Sequence, residues 1–411
     1  MQPHTLRRDD IKALSPADRS MLCSVYLHRC LTFDQMYQFY YSKENRKKTY
    51  ANWHLREMID KDFLLEIPYL TEAGEEDKAY FLAATGIVLV KRLFKIPSTF
   101  LPEAPDFCNA YSWHSKDLKL SPSKINHQIH LNTFALQFAE RANSYGSIQA
   151  SYFDEKFIPS KDIYSMRARP DGKILLQDQA LYLELDMNTE RMRSLQMKWD
   201  GYRTLIGTND FYQEMQTHPI SVLFILDNVI RIEQRIKTVL QSLERSCLVD
   251  SFQPYFDFYI GTPEEMLDFS FQYLIPQAPF PVQEWIKNYL DHDSQFSPAA
   301  FPEGKVNPYD FFGRINGQIY AIDTYDRIRG SVLSRIITAN RDGVLLGDLM
   351  KEPVRHLVIA DHWECLYRDV ELMKCFGMEN NYYTSIKDLE TKSFEDAICR
   401  INRFGALERG G

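Results

Sequence analysis

The sequence has no apolar run approaching the ~18 residues of a membrane-spanning helix. Its first ten residues, Met-Gln-Pro-His-Thr-Leu-Arg-Arg-Asp-Asp, lack the apolar segment of a signal peptide. The chain is therefore expected to be cytosolic, with no membrane partner. Paired cysteines are lacking too. The seven cysteines, at positions 23, 30, 108, 247, 365, 375 and 399, form no Cys-x-x-Cys. Neither a disulfide framework nor a zinc ribbon is supported, and reduced core thiols are expected. Positive charge is short overall: the net charge of −8 argues against a protein that coats nucleic acid indiscriminately. The shortage is uneven. Residues 1–100 hold 15 Lys and Arg against 13 Asp and Glu, and the rest hold 33 against 43. Any DNA contact should begin at the N-terminal end. The acidic remainder fits a domain that gathers carboxylates for a metal, and equally fits ordinary solubility.

What is present is length and apolar content. With 411 residues, 45% hydrophobic and 13% aromatic, two or three domains with substantial cores are expected. In residues 1–96, Ser15 caps a helix with apolar spacing at Met21, Leu22, Val25 and Leu27, and Thr32 caps a short second helix. Residues 45–61 predict a third helix with Ala51, Leu55, Met58 and Ile59 on one side. Arg46, Lys47, Lys48, Thr49, Asn52 and Arg56 cluster at its start and on the opposite side. A strand, an acidic tip (Thr71 to Asp77), a returning strand and a last helix from Thr85 complete the order of a winged helix-turn-helix domain. Basic and amide residues at that position suit phosphate contact and base-edge reading of double-stranded DNA. The acidic tip suits the alternative, in which the same surface binds a protein or forms a homodimer.

Residues 97–121 read as a linker, and residues 122–285 as a second domain opening with a helix from Lys124 to Ser144. His127-x-x-His130 on that helix lacks a third ligand and reads as a packed or capping pair. A Pro170-Asp171 turn then opens a strand, and a second strand runs from Ala180 to Asp186. Its period of two puts Glu184 and Asp186 on one face. In the helix that follows, capped by Asn188 or Thr189, Glu190, Ser194, Lys198 and Tyr202 form one ridge. A buried apolar strand (Ile220 to Leu226), a helix (Arg231 to Glu244) and a strand (Tyr255 to Ile260) follow. This is the order of the PD-(D/E)xK nuclease core, and the fold class expected is α/β (α+β). In that frame Asp171, Glu184 and Asp186 are the candidate ligands of a divalent cation, Mg²⁺ or Mn²⁺, because hard cations take oxygen donors. The ion would polarise a phosphate and generate hydroxide. Asp186 stands where the nuclease motif carries its lysine, so Lys198 is the candidate to replace it. Otherwise the fold binds without cutting; the plainer alternative is that the acids are a solvated strand face and Lys198 pairs with Glu190 or Ser194 on its own helix.

These features resemble the replication-relaxation family of plasmid and mobile-element proteins, over roughly residues 10–245. The matching positions are Pro170, Asp171, Glu184, Asp186, Thr189, Glu190, Lys198 and Tyr202, with Asn188 where the family usually has glycine. The resemblance implies a DNA-binding accessory or initiator protein of a plasmid, phage or integrative element. It would act in replication, DNA relaxation or mobilisation beside other replication or mobilisation proteins. The alternatives are a Mg²⁺-dependent nickase using Asp171, Glu184, Asp186, Lys198 and Tyr202, and a non-catalytic regulator or interaction module on the same scaffold. Residues 286–411 read as a degenerate copy of the second domain or an interaction domain. Aligning Tyr182 with Tyr320 puts Ile322 in the place of Glu184, so that copy is expected to lack its central acid; chance likeness between two α/β units is the alternative.

Overall fold

Ser15 and Asp18 cap one another's backbone across the first turn of α1 (Pro16–Leu27), which fixes the start of the helix. The computed structural model describes residues 13–95, 113–146, 148–158, 170–177, 179–188, 190–206, 220–246, 256–276, 281–292, 296–303, 307–326, 329–364, 366–367, 370, 381–402 and 406–409. The chain is mixed α/β and divides into two compact units, Met1–Tyr164 with Pro170–Gln177, and Ser165–Arg169 with Asp178–Gly411.

In the first unit, β1 (Cys30–Thr32) follows α1, and a second reciprocal cap between Thr32 and Gln35 opens α2 (Phe33–Met36), which runs on into a π turn. Then come α3 (Lys48–Asp60), β2 (Leu64–Leu70), β3 (Glu76–Leu82) and α4 (Ala84–Leu93). The three strands form an antiparallel sheet in the order β1-β3-β2, with Gly74 at φ +78° in the tip between β2 and β3. Met21, Leu22, Val25, Leu55, Met58, Ile87 and Val90 fill one core between the helices and this sheet. Burying such a side chain contributes about 1.5–3 kcal/mol.

After α5 (Ser115–Leu118), the long helix α6 (Pro122–Ser144) belongs to this unit rather than opening the next one. Its polar side chains explain why. Asn132, fully buried, donates to the carbonyls of Cys30 (2.6 Å) and His28 (3.2 Å). Gln35 donates to the carbonyl of Ile129 and the hydroxyl of Thr133, both at 2.8 Å. These bonds satisfy buried amides that would otherwise cost about 1–3 kcal/mol each. The antiparallel pair β4 (Ser151–Asp154) and β5 (Gly172–Leu175) completes the unit. The compact units thus differ from the expected boundaries at 121 and 285, and most of the expected linker lies outside the described residues.

The second unit begins with β6 (Ala180–Asp186), α7 (Met192–Ile206), β7 (Ile220–Leu226), α8 (Ile232–Ser246) and β8 (Phe256–Gly261). The three strands are parallel, with Glu184 beside Phe224 and Val222 beside Phe258. All seven residues of β6 and of β7 are buried, as expected of strands covered on both faces. There follow α9 (Pro263–Phe269), α10 (Pro281–His292), β9 (Phe296–Pro298), β10 (Phe311–Ile315), β11 (Gln318–Tyr325), α11 (Gly330–Met350) and β12 (Val354–Ala360). The chain closes with β13 (Asn381–Ser385), α12 (Ile386–Thr391), α13 (Phe394–Ala397), β14 (Cys399–Ile401) and β15 (Leu407–Arg409). Strands β15-β14-β13-β12-β11-β10-β9 form a seven-stranded sheet. The β10–β11 hairpin turns on Asn316 and Gly317, both at positive φ, which matches the twist of the strands they join.

Strands β11, β12 and β13 are parallel in that order, the same sense as β6, β7 and β8. One expectation about this second strand set is corrected. Ile322 packs with Val282 and Ile286 of α10, while Ile319 and Ala321 pack with Leu346 of α11. The residue that faces the helix following the strand, as Glu184 does in β6, is therefore Asp323. Its carboxylate meets Arg335 of α11 at 2.8 Å. Alignment on tyrosine slipped the strand by one residue, and a slip of one reverses every side chain. The second strand set therefore also carries a buried acid.

Candidate functional site

Two groups of residues singled out in the sequence lie one in each unit. The first is the exposed side of α3. Arg46, Lys47, Lys48, Thr49, Asn52 and Arg56 are all exposed, whereas Ala51, Leu55 and Met58 are buried beneath them. Thr49, Asn52, Trp53 and Arg56 recur at helical spacing and share one stripe. Lys48 Nζ lies 2.8 Å from Asp34, and the Arg46 guanidinium stacks over the Tyr50 ring, 4.9 Å from its centroid. Lys47 occupies the N-cap position and makes no side-chain cap, so the first backbone N–H groups of α3 are left to solvent or to a ligand.

The sequence reading missed Tyr50 and Trp53, which are 37% and 61% exposed. Their signal was position: both fall off the Ala51–Leu55–Met58 stripe. Beneath this surface His54 bridges to α1, its Nε2 3.0 Å from Asp18. The hydrogen bond to Asp18 raises the His54 pKa. Burial pushes the Asp18 carboxyl up, but His54 and Ser15 outweigh it and hold it below its usual value. Between β2 and β3 the tip is exposed and acidic, with Glu72, Glu75, Glu76 and Asp77.

The second group is built on β6. Glu184 is fully buried, with Lys198 Nζ 2.6 Å from its Oε2 and the Tyr202 hydroxyl donating to its Oε1 at 2.6 Å. Lys198 also reaches Glu190, 3.0 Å away in the segment before α7. Lys198 and Tyr202 thus meet the acid as their helical spacing implied, while Ser194 stays exposed. Asp186 is fully buried as well and takes a different partner. It accepts from Arg235 Nε on α8 and from the backbone N–H of Asn188 at 2.8 Å. Asn188 sits at φ +60°, a conformation that glycine and asparagine adopt most readily, so asparagine can stand where glycine is usual. Thr189 lies outside the described residues. Asp171, in the first unit, lies 3.5 Å from His127 Nε2 of α6.

Among the described residues, no group of three or more His, Cys, Asp and Glu side chains is gathered as a metal would require. Glu184 and Asp186 do not fit a divalent ion as they stand, because a cationic side chain already neutralises each of them. The same holds elsewhere in the second unit. Burial would raise Asp323, but Arg335 and His356 outweigh it and keep the carboxyl well below its usual range. Arg329, buried, binds Asp310 at 2.7 Å and Asp257 at 3.1 Å. The arginines were missed in the sequence because each meets its acid from a different element, 49 residues away for Arg235 and Asp186.

A family model described as replication-relaxation matches residues 22–219. The match takes in the exposed side of α3 and the Glu184–Lys198–Tyr202 contact, and it ends before β7. No curated protein and no solved structure matches the chain.

Proposed function

The chain belongs, through residues 22–219, to the replication-relaxation family, and on that premise we propose that it is a DNA-binding accessory or initiator protein. The family suggests a role in plasmid or mobile-element replication or DNA relaxation. In this reading the first unit works as a winged helix: α3 enters the major groove of double-stranded DNA, and Arg46, Lys47, Lys48 and Arg56 meet phosphates. Thr49 and Asn52 reach base edges, and Trp53 offers an apolar surface to a thymine methyl or a sugar. The observation that carries the reading is the joint exposure of Thr49, Asn52, Trp53 and Arg56 on one stripe, with Arg46, Lys47 and Lys48 exposed at its uncapped start. The acidic tip between β2 and β3 would be repelled by the backbone, so the contact is assigned to α3 and not to the hairpin.

The test is fluorescence anisotropy on duplex DNA across a range of salt. Changing Arg46, Lys47 and Lys48 together to alanine should weaken binding and flatten the log–log salt slope by about 2–3, since each phosphate contact contributes about 0.9. An unchanged slope overturns the assignment.

For the second unit we propose a nuclease-like scaffold that holds DNA or a partner without cutting. The support is that Glu184 and Asp186 are already paired with Lys198 and Arg235. A Mg²⁺-dependent nickase is the competing reading, favoured by the Glu184–Lys198–Tyr202 contact. Supercoiled plasmid separates the two. Nicking with Mg²⁺, absent with EDTA and absent for Glu184→Ala, would establish the nickase.

A further inference from the structure

At the N-terminal end of α8 lies a cavity of about 350 Å³ lined by Asn188, Ile230, Arg231, Gln234, Arg235 and Thr238. Two features of its lining run against the interests of the fold. Arg231 and Arg235 are one turn apart, so their like charges repel, and both stand at the positive end of the helix dipole. Glu233, the acid that this end prefers, does not line the cavity. Moreover, the Arg235 side chain is only 6% exposed, and its Nη2 has no hydrogen-bond partner among the described residues, because Asp186 takes Nε alone. A buried guanidinium nitrogen left unpaired is costly unless a ligand completes it.

An oxyanion answers both conflicts. It would accept from Arg235 Nη2 and Arg231, with Gln234 and the helix N-terminus as further donors. Ile230, 97% exposed at the rim, gives an apolar face for a sugar or base. We infer that this cavity binds the phosphate group of a nucleotide, either free or at the end of a nucleic-acid strand. Apart from Asn188, its lining lies beyond the residues that match the family.

The test uses the full chain with Arg46, Lys47 and Lys48 changed to alanine, so that the surface assigned to duplex DNA makes no contribution. Inorganic phosphate and deoxyadenosine 5′-monophosphate, titrated by calorimetry, should compete for one site. Arg231→Gln and Gln234→Glu should each weaken both ligands at least about tenfold, the loss that one charge-assisted hydrogen bond carries. Both variants should also raise the unfolding midpoint slightly, because each relieves a charge conflict at a helix N-terminus. Arg235→Gln is avoided because it also strips Asp186 of its partner. A single-stranded oligonucleotide bound better with a 5′-phosphate than with a 5′-hydroxyl makes the strand end the source. Equal binding of the two, with the mononucleotide retained, makes it a free nucleotide. The inference falls if neither phosphate ligand binds at millimolar concentration, if both variants bind unchanged, or if deoxyadenosine binds as well as its monophosphate.

Discussion

Replacing Lys198 with methionine should destabilise the second unit far more than replacing its partner Glu184 with glutamine. Glu184 is fully buried, and Lys198 and the Tyr202 hydroxyl answer its charge. Without Lys198, a buried carboxylate loses its cationic partner, a change that costs about 3–5 kcal/mol. Lys198 is less dependent on the pair. Its side chain is 14% exposed, and Glu190 lies 3.0 Å away. Glu184→Gln therefore leaves the lysine a partner and a route to water, and should cost about 1–2 kcal/mol, near the net value of a single hydrogen bond. The double variant should be more stable than Lys198→Met alone, with a coupling of about 1–3 kcal/mol. Urea unfolding followed by the fluorescence of Trp199, buried beside Tyr202, reads this cycle. In a thermal scan Lys198→Met should lower the midpoint by roughly 10 °C, at about 2–4 °C per kcal/mol for a unit of this size. Equal losses in the two single variants, or no coupling, would refute the reasoning. Lys198 would then not be held by Glu184, and a lysine free to act on a substrate would become the better description.

The Asp18–His54 pair makes stability depend on pH. The folded pKa of His54 is raised, so its contribution is fully present below the unfolded value of about 6.5 and is lost as pH rises through the folded value. Asp18 is lowered, so its contribution is present above about 4 and is lost as pH falls through its folded value. Wild type should therefore exceed His54→Gln in stability most between about pH 4 and 6.5, and a constant gap up to pH 9 would contradict this. Gly86→Ala should destabilise the first unit by about 1–3 kcal/mol, because a Cβ there would collide with the backbone carbonyl of Phe63, which no rotamer change relieves. Denaturant titration measures it, and an unchanged midpoint would show that α4 can shift.

The strands Ala180–Asp186 and Ile220–Leu226 were legible to the residue, the first from its period of two and the second as a continuous apolar run. The contact of Lys198 and Tyr202 with Glu184 followed from periodicity alone, since a strand end and the next helix are close in sequence. Three things were not legible. Buried amides such as Gln128 and Asn132 look like surface residues, so the attachment of α6 to the first unit was hidden. The phase of β11 could not be fixed from a tyrosine, because adjacent residues in a strand face opposite ways. The partner of Asp186 was unseen because pairing with Arg235 depends on how α8 packs, which no local pattern encodes.

Arg329 is buried and holds Asp257 of β8 on one side and Asp310, just ahead of β10, on the other. One guanidinium thus belongs at once to the parallel strands that follow Glu184 and to the sheet at the end of the chain. Neither half can leave without stranding a charge in the other. The two strand sets of the second unit are therefore tied together through one buried guanidinium. A shortened protein that stopped after β8 would be an incomplete object and not a smaller domain.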